Sequence, residues 1–242
     1  MNMGIIAASR LRAGARNPMF DNAVAYYRFD ETTGDAIDLV NGYNGTLNGI
    51  IGRDGEFYTF QDNFNIPDEF VDIGDQDDFS FTDGSGNNTN FVIKTEVVFD
   101  NFGNRDRAWL VSKRQNLNAG FQEWQFFYFQ DKLKFFIWDS SSNRYGINTE
   151  FIPTVGQKYI IGVTLNGTTI SLFIDGVIEQ TETLPNGFTF FNSTSVVKIG
   201  DETFTEELGL AGKLKETVIV KGSGWTQQNI TDNYNNGNGI TY

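Results

Sequence analysis

The residues able to do chemistry in this sequence are carboxylates, amides and aromatic rings. None of its 242 residues is histidine and none is cysteine. That excludes a Ser-His-Asp triad, thiolate nucleophiles, disulfides and the commonest zinc ligands. Any catalysis would have to run on carboxylates, lysine or tyrosine. Asp and Glu total 31 against 18 Lys and Arg, a net charge of −13, so no nucleic-acid surface is expected. The acids are spread along turns. Asp30, Asp38, Asn41 and Asn44 fall in loops flanking an early strand. A hard cation such as calcium takes about six to eight oxygens of this kind from carboxylates, amides and carbonyls. The competing reading is that Asp and Asn here are turn formers bonded to their own backbone. No EF-hand spacing occurs.

A second constellation is aromatic. Trp124–Gln130 is followed by Leu133–Trp138, with a turn expected at Asp131-Lys132. Pairing across that turn sets Tyr128 opposite Phe135 and Phe126 opposite Ile137 on one face. On the other, Phe129 meets Lys134, Phe127 meets Phe136 and Gln125 meets Trp138. Flat rings with a few polar groups among them can stack pyranose rings. Gln125, Phe127, Lys134, Phe136 and Trp138 are therefore the candidate sugar-binding residues. The alternative is that the same rings are core. With both faces apolar, the hairpin is expected to be central in its sheet and covered on each side.

A third constellation is basic. Arg10, Arg12 and Arg16 are unopposed by any acid before Asp21. The apolar stretch Gly4–Ala8 is too short, and the charges are on the wrong side of it, for a signal peptide. Residues 1–20 read either as a disordered tail or as a basic arm that orders on a partner subunit.

These groups need elements to hold them. Lys158–Gly176 carries the clearest pattern: Tyr159, Ile161, Val163 and Leu165 alternate with Ile160, Gly162 and Thr164, followed by Asn166-Gly167 and then Ile170, Leu172 and Ile174. This predicts a hairpin with a type I′ turn at Asn166-Gly167, setting Leu165 opposite Thr168 and Val163 opposite Ile170. Further strands are expected at Ala23–Phe29, Glu56–Phe60, Phe70–Ile73, Phe91–Phe99, Ala108–Ser112, Val196–Gly200 and Lys213–Val220. A short helical turn capped by Thr226 is expected over Trp225–Tyr234. There is no internal repeat, no linker and no apolar run long enough to cross a membrane. Many short strands joined by Gly/Asn/Asp turns predict an antiparallel sandwich.

In order and spacing these segments resemble the LamG-like domains of the concanavalin A-like lectin/glucanase superfamily. The residues that carry the resemblance are AVAYYRFDETTGDAIDLVNGYNGTLNG, FVDIGDQDDFSFT, WLVSK, EWQFFY, KLKFFIWD, GQKYIIGVTLNGTTISLFIDG and the closing GKLKETVIV. It covers about residues 23–237. The expected organisation is a basic arm at 1–22 and one all-β domain at 23–242, a concanavalin A-like jelly-roll sandwich of two antiparallel sheets. Two positions depart from the family pattern. Gly156-Gln157-Lys158-Tyr159 replaces a Trp-His-His, and Lys215 stands in the closing Gly-x-x-Asp-Glu, where Glu216 is kept.

The resemblance implies a structural calcium at a rim, with Glu216 joining Asp30, Asp38, Asn41 and Asn44. It also implies a glycan ligand. The superfamily's glucanases carry Glu-x-Asp-x-x-Glu on one strand. No such run occurs here, Glu69 and Asp72 being the nearest approximation, so no enzymatic activity is expected. FSFTDGSG and EWQFFY also resemble LamG-like domains of tailed-phage structural proteins. The expectation is a virion component, anchored to other virion subunits through residues 1–20, oligomeric in its assembly and displaying a domain for adhesion to cell-surface glycans. The alternative is a free-standing, extracellular, calcium-stabilised lectin.

Overall fold

Alternation of apolar and polar residues builds nearly all of the regular structure. A computed structural model describes residues 17–61, 69–100, 107–115, 122–201 and 209–239. The strands are β1 (Ala23–Tyr27), β2 (Thr46–Asn48), β3 (Gly52–Arg53), β4 (Tyr58–Phe60), β5 (Phe70–Gly74), β6 (Phe91–Phe99), β7 (Arg107–Arg114) and β8 (Gln122–Phe129). They continue as β9 (Lys132–Trp138), β10 (Arg144–Glu150), β11 (Lys158–Asn166), β12 (Thr169–Ile174), β13 (Val177–Thr183), β14 (Val197–Ile199) and β15 (Gly212–Lys221). One helix, α1 (Gln227–Tyr234), follows, with Thr226 and Asn229 forming a reciprocal capping box.

The strands form two antiparallel sheets. One has the order β13-β12-β11-β6-β15-β4-β3, with β1 also paired to β15. β4 pairs with Gly212–Leu214 and β1 with the stretch from Thr217 to Val220, so they share one edge of β15 end to end. The other sheet has the order β10-β9-β8-β7-β14-β5-β2. The inner faces meet through aromatic rings: Phe91 lies 5.5 Å from Phe135 and Phe99 lies 5.9 Å from Tyr128, centre to centre. Ile93, Val97, Ile161, Val163, Phe126 and Ile137 complete a core from which water is almost fully excluded. Each such side chain contributes about 1.5–3 kcal/mol by leaving water.

Both hairpin registers differ from expectation by two residues. Leu165 pairs with Ile170 and Val163 with Leu172, so the turn is Gly167-Thr168, with only Gly167 at positive φ. Tyr128 pairs with Leu133 and Phe126 with Phe135. The second turn is thus Gln130-Asp131, both at φ above +50°. A shift of two preserves which side chains share a face, because side chains alternate with period two. The apolar pattern therefore specified the faces correctly but could not choose between registers two residues apart.

The outer face of the first sheet is also covered. Val92, Phe173, Val218 and Val220 pack with Phe20, Tyr26, Trp225 and Ile230 in a second apolar cluster. Beside it lies a buried ionic group. Lys94 pairs with Glu216 and lies 3.5 Å from Glu96; Tyr26 donates a 2.6 Å hydrogen bond to Glu216, and Lys158 reaches Glu96 at 3.4 Å.

Candidate functional site

Because β8 and β9 are interior strands of the second sheet, side chains that alternate away from the core are gathered on its outer face. Phe127 lies opposite Lys134 and Gln125 opposite Phe136. On the neighbouring strands, Trp109 faces Phe127, Arg107 faces Phe129, Gly146 faces Phe136 and Arg144 faces Trp138. The rings form a chain: Trp109 to Phe127 is 4.3 Å, Phe127 to Phe136 is 5.2 Å and Phe136 to Trp138 is 6.3 Å between centres. Gly146 is required there, since a Cβ on it would strike the Phe136 ring.

The chain of rings is not uniformly open. Gln125, Phe127 and Trp138 are 1%, 4% and 5% exposed, and Trp109 is 6%. They form the floor. Arg114 lies 5.5 Å over Trp138 and donates to Gln125 at 3.2 Å. The accessible part runs across β7 to β10, where Phe129, Lys134 and Phe136 are half-buried and Arg107 and Arg144 are exposed. Arg107 and Lys134 approach the Phe129 ring at 4.3 and 4.5 Å, and Arg144 lies 4.4 Å over Phe136. Cations sit over ring faces because the π cloud is the negative pole of the ring quadrupole. Lys132 on the same face pairs with Glu150 at 2.7 Å. Lys134 is held below its ordinary value of 10.5, first by partial burial and then by the like charges of Lys132, Arg144 and Arg107.

Of the five sugar-binding candidates, then, all lie on one face, Lys134 and Phe136 half-buried and Gln125, Phe127 and Trp138 buried beside them. Sequence reasoning missed Trp109, Arg107 and Arg144. Arg107 stands just before the expected strand Ala108–Ser112. Arg144 opens β10, whose sequence RYGINTE has little apolar alternation and is an edge strand recognisable only from its partner.

The candidate calcium ligands are dispersed. Asp38 is 5% exposed. Its Oδ1 accepts from Tyr26 N and Val40 N, and its Oδ2 from Asn41 N and Tyr43 N. Asn44 Oδ1 accepts from Asp38 N, and the Asn41 amide donates to Val24 O. Asp30 pairs with Arg28 at 2.6 Å, and Glu216 is engaged by Lys94 and Tyr26 on the outer face of the other sheet. A cation needs unoccupied oxygen lone pairs converging on one point. Here backbone N–H groups engage Asp38 and Asn44, the Arg28 guanidinium engages Asp30, and Lys94 and Tyr26 engage Glu216, so these five residues do not fit calcium as a set. Among the described residues, no group of three or more Asp, Glu, His or Cys is arranged to hold a metal ion.

A second polar centre occupies one end of the sandwich. Buried Lys113 lies 3.0 Å from Glu123, 3.0 Å from Asp75 and 2.6 Å from Ser80 Oγ. Burial pushes the Glu123 carboxyl up, against the pull of Lys113. Glu69 is a buried carboxylate that accepts from Gln61 N, and Asp72 sits half-buried on β5. Arg10, Arg12 and Arg16 lie outside the described residues.

Comparison with known proteins agrees with this architecture. A laminin G-type family model of the concanavalin A-like lectin/glucanases superfamily matches residues 73–230, more than half of the chain. The chain belongs to that superfamily. No curated protein matches it. Among solved structures it is similar to the ligand-binding domain of botulinum neurotoxin serotype D in complex with N-acetylneuraminic acid, at TM-score 0.64 and 10% identity over 89% of this chain and 51% of that one. It is also similar to the serotype G binding domain, at TM-score 0.62 and 14% identity over 89% and 51% of the two chains. The mosaic serotype C/D receptor-binding domain aligns at TM-score 0.66 and 8% identity, over 90% and 51%. The chain spans about half the length of these structures. At such identities the likeness defines the fold.

Proposed function

We propose that the protein is a non-enzymatic carbohydrate-binding domain that holds glycan on the outer face of the second sheet, against Phe129, Lys134 and Phe136. The observation that carries this reading is the set of half-exposed rings on a rigid, doubly paired hairpin, flanked by hydrogen-bond donors. Pyranose rings stack on such surfaces while their hydroxyls bond the flanking groups. Membership of a lectin-containing superfamily and the glycan complex of a structural relative support the same reading. No residue is assigned a chemical step, since the glucanase run Glu-x-Asp-x-x-Glu has no counterpart in the sequence.

Within this proposal the domain is displayed on a virus particle and anchored through Arg10, Arg12 and Arg16. The resemblance of FSFTDGSG and EWQFFY to phage structural proteins supports that finer reading; an extracellular lectin is the alternative. The decisive experiment is a glycan-array screen of the full chain beside a Phe136→Ala variant. Binding to at least one glycan, weakened in the variant, is expected. Absence of binding to every glycan on the array would overturn the reading.

A further inference from the structure

The accessible part of the ring face is strongly cationic in a protein whose net charge is −13. Arg107, Lys134 and Arg144 stand around Phe129 and Phe136. Among the described residues, no ion pair joins any of the three to a carboxylate; the acid on this edge, Glu150, pairs with Lys132. Elsewhere on the surface, Arg28 pairs with Asp30 at 2.6 Å and Lys215 with Glu56 at 3.0 Å. The three cations are held by rings instead. A guanidinium lying over a ring still presents its edge N–H groups, which match a carboxylate or sulfate in a forked geometry. Lys134 is crowded by like charges, and an anion placed among them would relieve that repulsion.

We propose that this face selects acidic glycans, with Arg107, Lys134 and Arg144 reading successive carboxylates or sulfates along the ligand while Phe129 and Phe136 take separate sugar rings. The inference rests on the proposed glycan-binding function and deepens it. The negative remainder of the molecule repels polyanions at long range, so selectivity arises only where these cations meet the ligand.

The test measures binding of the full chain to polysialic acid, dextran sulfate and neutral dextran by affinity electrophoresis at low and high salt. Three variants, Arg107→Gln, Lys134→Gln and Arg144→Gln, are compared with Lys215→Gln as a surface control. These side chains are exposed or half-exposed, and circular dichroism checks that each variant is folded. Binding to either acidic polymer but not to dextran supports the proposal, and the polymer bound tells which group is read. Loss of a charged hydrogen bond is expected to weaken binding about tenfold per variant, with no change for Lys215→Gln. Equal binding of dextran and the acidic polymers overturns acid selectivity and leaves the glycan reading intact. Binding weakened no more by the three variants than by Lys215→Gln overturns the assignment of these residues. Binding to none of the three polymers overturns acid selectivity too, and a silent glycan array then removes the underlying reading as well.

Discussion

The ammonium of Lys134 lies 4.5 Å from the centre of the Phe129 ring, while the Arg107 guanidinium approaches the same ring at 4.3 Å. One half-buried aromatic side chain thus organises two cations contributed by strands on either side of it. Its removal separates function from stability. Phe129→Ala is expected to destabilise the fold by only about 1–2 kcal/mol, from two cation–π contacts and partial burial. Glycan binding should be lost nearly completely. Urea denaturation and a glycan-binding assay on the same preparation measure the two effects.

Lys94 makes the opposite case, a charge that serves the scaffold. It is fully buried between Glu216 and Glu96 on the outer face of the first sheet. Lys94→Met leaves Glu216 without its ammonium and Glu96 with Lys158 alone, so a loss of about 3–5 kcal/mol is expected. Tyr26→Phe removes one hydrogen bond to Glu216 and should cost about 1–2 kcal/mol. Chemical denaturation of both variants orders the two effects, and glycan binding by each folded protein should be unchanged.

Asp38 tests whether the first loop is built by its own backbone or by a metal. Its two carboxylate oxygens collect the N–H groups of Tyr26, Val40, Asn41 and Tyr43. Asp38→Asn replaces one acceptor oxygen by a donor and removes the charge, so about 2–4 kcal/mol should be lost. Added calcium and chelator should leave the melting temperature of the unaltered protein unchanged, as differential scanning calorimetry can read.

The position of Lys134 gives a pH dependence with a definite sign. Its proton is held less tightly than in an ordinary lysine, first through burial and then through neighbouring cations. A bound anion favours the charged form, so binding is coupled to proton uptake. Affinity for an acidic glycan should therefore be steady near neutrality and fall as the pH rises through the lowered value, before reaching 10.5. Lys134→Arg, whose charge does not titrate in this range, should retain binding across the same interval. Binding isotherms at stepped pH compare the two.

Much of this architecture was legible in the sequence, and the parts that were not share a physical cause. Period-two alternation identified β6, β11, β12, β8 and β9 and assigned their side chains to faces. It could not separate registers two residues apart, which turn geometry decided at Gly167 and Gln130-Asp131. The edge strands β10 and β13 were missed, because RYGINTE and VIEQTET bury little and carry almost no apolar pattern. The site was half visible for the same reason. Phe127, Phe136 and Trp138 announced themselves as rings on one face, whereas Arg107 and Arg144 became neighbours of Phe129 and Phe136 only through the registers of β7 with β8 and of β9 with β10. Asp38 and Glu216 show the converse. Residue type suggested oxygen ligands, but only the fold reveals that backbone N–H groups and Lys94 already occupy those oxygens.

The most direct test of the central claim is a map of where glycan touches the protein. Amide and side-chain NMR shifts of the isotopically labelled chain can be followed as polysialic acid is added. Binding on the outer face of the second sheet predicts shifts concentrated at Arg107, Phe129, Lys134, Phe136 and Arg144, with the Asp38 loop and the Lys113–Glu123 end of the sandwich silent. Shifts concentrated at either of those two regions, with the ring face unperturbed, would contradict it.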